Sequence, residues 1–176
     1  GNSRDDLKVW KNCRKAILVN VGPSLAVRAA ASAEIEASFP KSHNPLWELI
    51  RAMRPYQWSK NLLVFVSILT AHKYTDFHLL ILTTISFVSF CLCSSSVYLI
   101  NDLLDLQADR RHSEKYSRPF ASGRAPVMLG LVAMPLLLAA STALAWIVGE
   151  QFFIALLFYF CVTLVYSFYC KRVVLL

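Results

Sequence analysis

Phe77-His78-Leu79-Leu80-Ile81-Leu82-Thr83-Thr84-Ile85-Ser86-Phe87-Val88-Ser89-Phe90-Cys91-Leu92-Cys93-Ser94-Ser95-Ser96-Val97-Tyr98-Leu99-Ile100 runs for 24 residues without an Asp, Glu, Lys or Arg. A helix needs about 20 apolar residues to cross the hydrocarbon core of a bilayer. Two more runs meet that length: residues 125–148, another 24 uncharged positions, and residues 152–170, a further 19. A fourth, residues 61–72, reaches the lower limit only when extended back to Pro55. There Pro55 would sit in the first helical turn, where its missing N–H costs nothing. Tyr56 and Trp58 would lie at the membrane interface, which favours amphipathic rings. Residues 46–53 read as an interfacial helix leading in. The pattern predicts an all-α integral membrane protein with about four transmembrane helices.

The composition agrees. Hydrophobic residues make up 56% of the 176 and charged residues 16%, against about 45–50% and about 25% in soluble domains. A soluble globular protein, a disordered tail and a coiled coil are excluded. Cys13, Cys91, Cys93, Cys161 and Cys170 are too few and too poorly placed for a disulfide scaffold, and read as small apolar residues. The net charge of +7 follows the membrane rather than a nucleic acid, and no nucleic-acid partner is expected. Eleven basic residues lie on one side of the expected spans: Lys41, Arg51, Arg54, Lys60, Arg110, Arg111, Lys115, Arg118, Arg124, Lys171 and Arg172. Lys73 stands alone on the other. The positive-inside rule then places the N-terminus, the loop between the second and third spans, and the C-terminus in the cytosol.

That loop opens with Asn101-Asp102-Leu103-Leu104-Asp105-Leu106-Gln107-Ala108-Asp109. On a continuous helix, at about 100° per residue, Asp102, Asp105 and Asp109 fall within an arc of about 60°. Three carboxylates stacked on one face repel one another unless a cation neutralises them. Oxygen-only donors, with Asn101 alongside, suit a hard ion, Mg²⁺ rather than Zn²⁺. Arg110, Arg111, His112, Lys115 and Arg118 follow at once. A phosphate group held between metal and Arg/Lys would fit this order. The plainer reading is a solvated loop whose acids and bases pair with each other. Ser94-Ser95-Ser96, a turn ahead, either lets helices approach closely or lines a cavity.

These residues carry a resemblance. Asn101-Asp102-x-x-Asp105-x-x-x-Asp109 is similar to the first acidic motif of the UbiA membrane prenyltransferase superfamily. Arg110-x-His112-x-x-Lys115-x-x-Arg118-Pro119-x-Ala121-Ser122-Gly123 fits the loop of the same family. Arg54-Pro55-Tyr56-Gln57-Trp58-Ser59-Lys60-Asn61 resembles a segment typical of its decaprenyl-phosphate phosphoribosyltransferase branch. The resemblance covers residues 46–176. It implies the first half of a helical bundle around a cavity, with Mg²⁺ held at Asn101, Asp102, Asp105 and Asp109 against a diphosphate. Asp102, Asp105 and Asp109 would be catalytic. Arg54, Lys60, Asn61, Arg110, Lys115 and Arg118 would contact substrate. The implied partners are a polyprenyl phosphate or diphosphate lipid and a second small molecule, and the implied location is a bacterial inner membrane. A second acidic motif normally follows the fourth span in this family, and the sequence stops at Leu176 before it. With Gly1 in place of Met at the start, the chain reads as a fragment open at both ends.

The N-terminal residues are different in kind. Residues 1–36 carry ten charges and look soluble. Residues 16–21 suit a buried strand, Ser24 a helix N-cap, and residues 25–36, rich in Ala, a helix. Residues 37–45 read as a linker. Gly1-Asn2-Ser3-Arg4-Asp5-Asp6 resembles the last motif of haloacid-dehalogenase-like phosphatases, with Asp6 matching its second acid and Asn2 departing from its first. This implies a short α/β remnant of such a domain, without phosphatase activity of its own.

Three function classes are open at this point. The first is an Mg²⁺-dependent transferase moving a prenyl or phosphoribosyl group to an aromatic ring or a polyprenyl phosphate. The second is an inactive or lipid-phosphate-binding membrane segment. The third, a transporter, would carry ionisable residues near the membrane midplane. The uncharged spans show none.

Overall fold

The computed structural model describes residues 5–39 and 44–170. Asn2, Lys41, Lys171 and Arg172, invoked above, lie outside them. The chain divides into two compact units, residues 1–43 and residues 44–176.

In the first unit, α1 (Asp6–Trp10) leads into β1 (Lys15–Val19), α2 (Pro23–Ala30) and β2 (Glu34–Phe39). The two strands pair in parallel, which requires a crossover, and α2 supplies it. Trp10, Ala16, Leu18 and Ala29 form its buried core. Two expectations are corrected here. The helix stops at Ala30, and Glu34 to Phe39 form a strand instead of helix and linker. Apolar Ile35 alternates with Glu34 and Glu36, a period of two that pairing with β1 satisfies. The N-cap is Gly22, with Pro23 in the first turn, and not Ser24.

The second unit is helical. Asn44 caps α3 (Pro45–Ala52) by accepting a hydrogen bond from the Leu46 N–H at 3.0 Å. Residues 55–72 form no single span. They fold as a 3₁₀ stretch (Pro55–Leu63) and a short α4 (Val64–Thr70). The cause is local: Arg54 enters the left-handed region at φ 56° just before Pro55, so the chain turns there. Trp58 and Asn61 are then held sideways against the next helix. Trp58 Nε1–H donates to Ser95 Oγ at 3.1 Å, and Asn61 Nδ2–H to Cys91 Sγ at 3.4 Å. Trp58, expected at the interface, is therefore half-buried inside the unit.

Among the described residues, three helices are long and apolar enough to cross a membrane: α5 (Phe77–Leu104), α7 (Val127–Val148), and α8 (Glu150–Val165) with its π-helical continuation, counted to Phe168. Between α5 and α7 lies the short α6 (Leu106–Arg111). Asp76 starts α5, accepting from His78 N–H and Leu79 N–H. Gly149 joins α7 directly to α8 at φ 141°, a backbone conformation that a side chain would strain.

The α5–α7 seam is built from small and polar residues, because hydrocarbon offers helices no hydrophobic drive to associate. Ser89 Oγ donates to Ser141 O at 2.9 Å, and Ser141 Oγ returns a bond to Ser89 O at 2.7 Å. Ser96 Oγ donates to Met134 O at 3.0 Å. One index rises as the other falls, so the helices run antiparallel. At the far end of the seam, Phe120 seats against Gly130 and Leu103. It joins Ala52, Leu99 and Ala125 in a buried cluster that ties α3, α5, α7 and the intervening loop together. The 28 residues of α5 rise about 42 Å, more than the hydrocarbon core of about 30 Å. α5 is therefore longer than an untilted span requires.

Candidate functional site

The site forms where α5 runs out. Asp105 leaves helical geometry at φ −85°, ψ 2°, and separates α5 from α6. The break is slight. Asp105 N–H still donates to Asn101 O at 2.9 Å, and Asp109 N–H to Asp105 O at 2.8 Å. Asp102 and Asp109 thus stay on one side, seven residues apart, and both are buried, at 2% and 3% exposure.

Two arginines close on them from distant parts of the chain. Arg54 Nη2 donates to Asp102 Oδ1 at 2.6 Å. Arg118 Nη1 donates to Asp102 Oδ1 at 3.1 Å and to Asp109 Oδ2 at 2.7 Å. The Arg54 guanidinium also lies 5.0 Å from the centre of the Tyr98 ring, a cation–π contact. A left-handed non-glycine residue costs on the order of 1–3 kcal/mol and persists where its surroundings hold it. The Asp102 and Tyr98 contacts are what hold Arg54.

These groups border a polar cavity of about 290 Å³ lined by Arg51, Arg54, Tyr56, Asp102, Ser117 and Arg118. Three arginines line the cavity against two buried carboxylates, Asp102 and Asp109, which leaves one positive charge to spare, and guanidinium matches phosphate oxygens in shape and charge. Next to it, Trp47, Ile50, Arg51, Pro55 and Tyr56 line a second, mainly apolar recess of about 370 Å³. Arg51 borders both.

The structure sorts the candidates named from sequence. Arg54, Asp102, Asp109 and Arg118 come together. Asp105 stands at the helix break and Asn101 lies half-buried beside Asp102. Arg110 points its Nε–H at Ala121 O, 3.4 Å away. The Lys115 N–H is received by His112 Nδ1 at 3.4 Å, a contact that caps the loop turn. Lys60 is exposed. Asn61 gives its amide to α5, at Cys91 and Ser94. Asp6 begins α1 in the other unit. Sequence reasoning counted Arg51 and Arg124 only as topology charges and passed over Tyr98 and Glu48. The spacing of Arg51 three residues before Arg54 was a usable signal, because it puts both at one end of α3. Nothing local marks Tyr98.

The oxygen-only donor set suits a hard divalent ion. Among the described residues, no three Asp, Glu, His or Cys side chains converge as a metal cage. Two carboxylates are instead bridged by one guanidinium nitrogen. Mg²⁺ commonly takes only one or two carboxylates and completes its shell with water and phosphate, so the pair fits such an ion without forming a closed site.

Comparison with known proteins adds the lineage. The model of the UbiA prenyltransferase family matches residues 62–176. Over 177 aligned residues the chain is 38% identical to the uncharacterized protein y4nM of Sinorhizobium fredii, covering all of this chain and 34% of that protein. It is 37% identical over 153 residues to the decaprenyl-phosphate phosphoribosyltransferase of Mycolicibacterium smegmatis, covering 84% of this chain and 47% of that one. It is 34% identical over 122 residues to the nodulation protein NoeC of Azorhizobium caulinodans, covering 69% and 39%. The chain thus spans less than half the length of these curated relatives. Three apolar helices, a buried acidic pair at the end of one of them, and a family match over most of the length lead to one statement: this chain is an integral membrane protein and belongs to the UbiA prenyltransferase family.

Proposed function

We propose that this segment supplies the diphosphate-binding half of a transferase that moves a phosphoribosyl group from phosphoribosyl diphosphate to a polyprenyl phosphate. One observation carries the reading. Arg54, from the segment ahead of the membrane helices, and Arg118, from the loop behind α5, meet on one buried carboxylate, Asp102. A chain gains little from burying such charges for stability alone. Similarity to decaprenyl-phosphate phosphoribosyltransferases supports the choice of donor over a prenyl diphosphate.

In this reading Asp102 and Asp109, with Asp105 and Asn101 beside them, would hold Mg²⁺, which would neutralise the departing diphosphate. Arg54 and Arg118 hold the two carboxylates apart from water and turn to phosphate oxygens when substrate arrives. Arg51 adds a third guanidinium on the cavity wall, and Lys115 and Arg110 lie within the same loop. Departure of the diphosphate builds positive charge at the ribose carbon, and the buried carboxylates stabilise it electrostatically. The lipid chain of the acceptor stays in the membrane. We place the acidic loop and the N-terminal unit in the cytosol of a bacterial inner membrane, on the basic-residue asymmetry. The N-terminal unit, with its parallel β1–α2–β2 crossover and Asp6 opening α1, is proposed as the end of a haloacid-dehalogenase-like domain.

The test uses the complete protein that contains this segment, in lipid vesicles, with labelled phosphoribosyl diphosphate, decaprenyl phosphate and Mg²⁺. Label should pass into the organic phase, and Asp102→Asn should lower that rate by about 100-fold or more while membrane insertion persists. Wild-type turnover in the variant sinks the site assignment. Saturable binding of decaprenyl phosphate with no transfer from any diphosphate would make the protein a lipid-phosphate binder instead.

A further inference from the structure

Glu48 lies on α3, three residues before Arg51, has no part in the proposed chemistry itself, and its side chain is 4% exposed. A carboxylate so enclosed requires a cation. Arg124 provides it, with Nε 3.6 Å from Glu48 Oε2. That contact is an ion pair and not a hydrogen bond, because the hydrogens of the same guanidinium are engaged on both sides of Arg118. Arg124 Nη2 donates to the carbonyl of Ser117, and its Nε donates to Ser122 Oγ at 3.0 Å. Ser122 Oγ in turn donates to Arg118 O at 2.8 Å. One guanidinium thus clips together the residue before Arg118 and the turn after it. Glu48 fixes that clip to α3, and α3 leads directly to Arg54.

We infer that Glu48 is a positioning residue: by holding Arg124 it keeps the loop of residues 115–124 where Arg118 can reach Asp102 and Asp109. The catalytic side of this inference rests on the transferase reading above. The mechanical side does not. The ion pair couples the two chain segments that deliver guanidinium groups to Asp102, so loosening it frees Arg118 without removing any group that touches substrate.

The experiment is a double-mutant cycle in the detergent-solubilised full chain, with Glu48→Gln, Arg124→Gln and both. Glu48→Gln keeps the shape of the side chain. The first readout is the rate of limited trypsin cleavage after Lys115, a site within that loop that all variants retain. Either single substitution should speed cleavage about fivefold or more by raising the open population of the loop. The double variant should be no faster than the quicker single one, as expected for residues acting as one unit. The second readout is turnover. Glu48→Gln should raise KM for the diphosphate about five- to tenfold and change kcat less than about threefold, and Glu48→Asp should recover part of the loss. Wild-type cleavage in Glu48→Gln, or rates that multiply in the double variant, would overturn the coupling. Faster cleavage with KM unchanged would overturn the positioning role and leave a structural tie. If the complete protein containing this segment transfers no group at all, the transferase reading fails while the cleavage cycle still decides the coupling.

Discussion

Arg118 is the residue whose loss should cost the site most, and the geometry says how much. One nitrogen, Nη1, serves both Asp102 at 3.1 Å and Asp109 at 2.7 Å. The carboxylate side chains are 2% and 4% exposed, and that of Arg118 is 26% exposed. At about 3 Å and an effective dielectric of about 20, each contact has a gross attraction on the order of 5 kcal/mol. Most of that offsets desolvation. What remains measurable is the penalty for stranding a buried charge, about 3–5 kcal/mol. Arg118→Met strands Asp109, because Asp102 keeps Arg54 at 2.6 Å. In an Asp109→Asn background nothing is stranded, and the same substitution should cost only about 1.5–2 kcal/mol, the lower part of the range for a hydrogen bond to a charged group, since the remaining contact to Asp102 is the longer one at 3.1 Å. The difference is a coupling of about 1.5–3 kcal/mol between the two positions. Thermal unfolding of the full chain in detergent, without Mg²⁺ or substrate, reads it. At about 2 °C per kcal/mol, Arg118→Met should lower Tm by roughly 6–10 °C, and by no more than about half of that in Asp109→Asn. Equal falls in the two backgrounds would refute the shared buried ion pair.

Other outcomes follow from single contacts. A Cβ on Gly130 would lie 2.7 Å from Phe120 Cζ, so Gly130→Ala should cost about 1–3 kcal/mol through overpacking and loosen the loop that Phe120 anchors, visible as faster proteolysis there. Ser141→Ala removes one of the reciprocal bonds across the α5–α7 seam, and in a membrane setting should cost only about 0.6 kcal/mol in denaturant titration. Ser89→Leu should cost several times more, because Ser89 is fully enclosed at the crossing. Trp58→Phe removes the donor to Ser95 Oγ and should cost about 0.5–1.5 kcal/mol, read from the denaturation midpoint. Should Mg²⁺ bind at the acidic pair, it should raise Tm of the wild type and not of Asp102→Asn.

Much of the architecture was legible because hydrocarbon imposes simple rules. Residues 77–100, 125–148 and 152–170 became helices long enough to span, since an apolar segment in lipid must satisfy its own backbone. Residues 55–72 obeyed composition but not length. Pro55, the left-handed Arg54 and the side-chain bonds of Trp58 and Asn61 turned the segment aside, and those bonds exist only once α5 is in place. At the N-terminus the strand of residues 15–19 was readable from its apolar run. The second strand was not, because Glu34-Ile35-Glu36 becomes strand only by pairing with β1.

The site divides along the same line. Carboxylate chemistry at Asp102, Asp105 and Asp109 and the basic loop after them are sequence properties, since seven residues of near-helical chain are enough to put Asp102 and Asp109 on one side. Helical spacing is a local quantity, and the sequence by itself determined it. That Arg54 and Arg118 reach Asp102, that Asn61 turns to α5, and that Glu48 meets Arg124 are contacts between segments distant in sequence. Those contacts join residues 16 to 76 positions apart along the chain. Only the tertiary structure could decide them, because no local spacing rule encodes which distant guanidinium reaches a buried carboxylate.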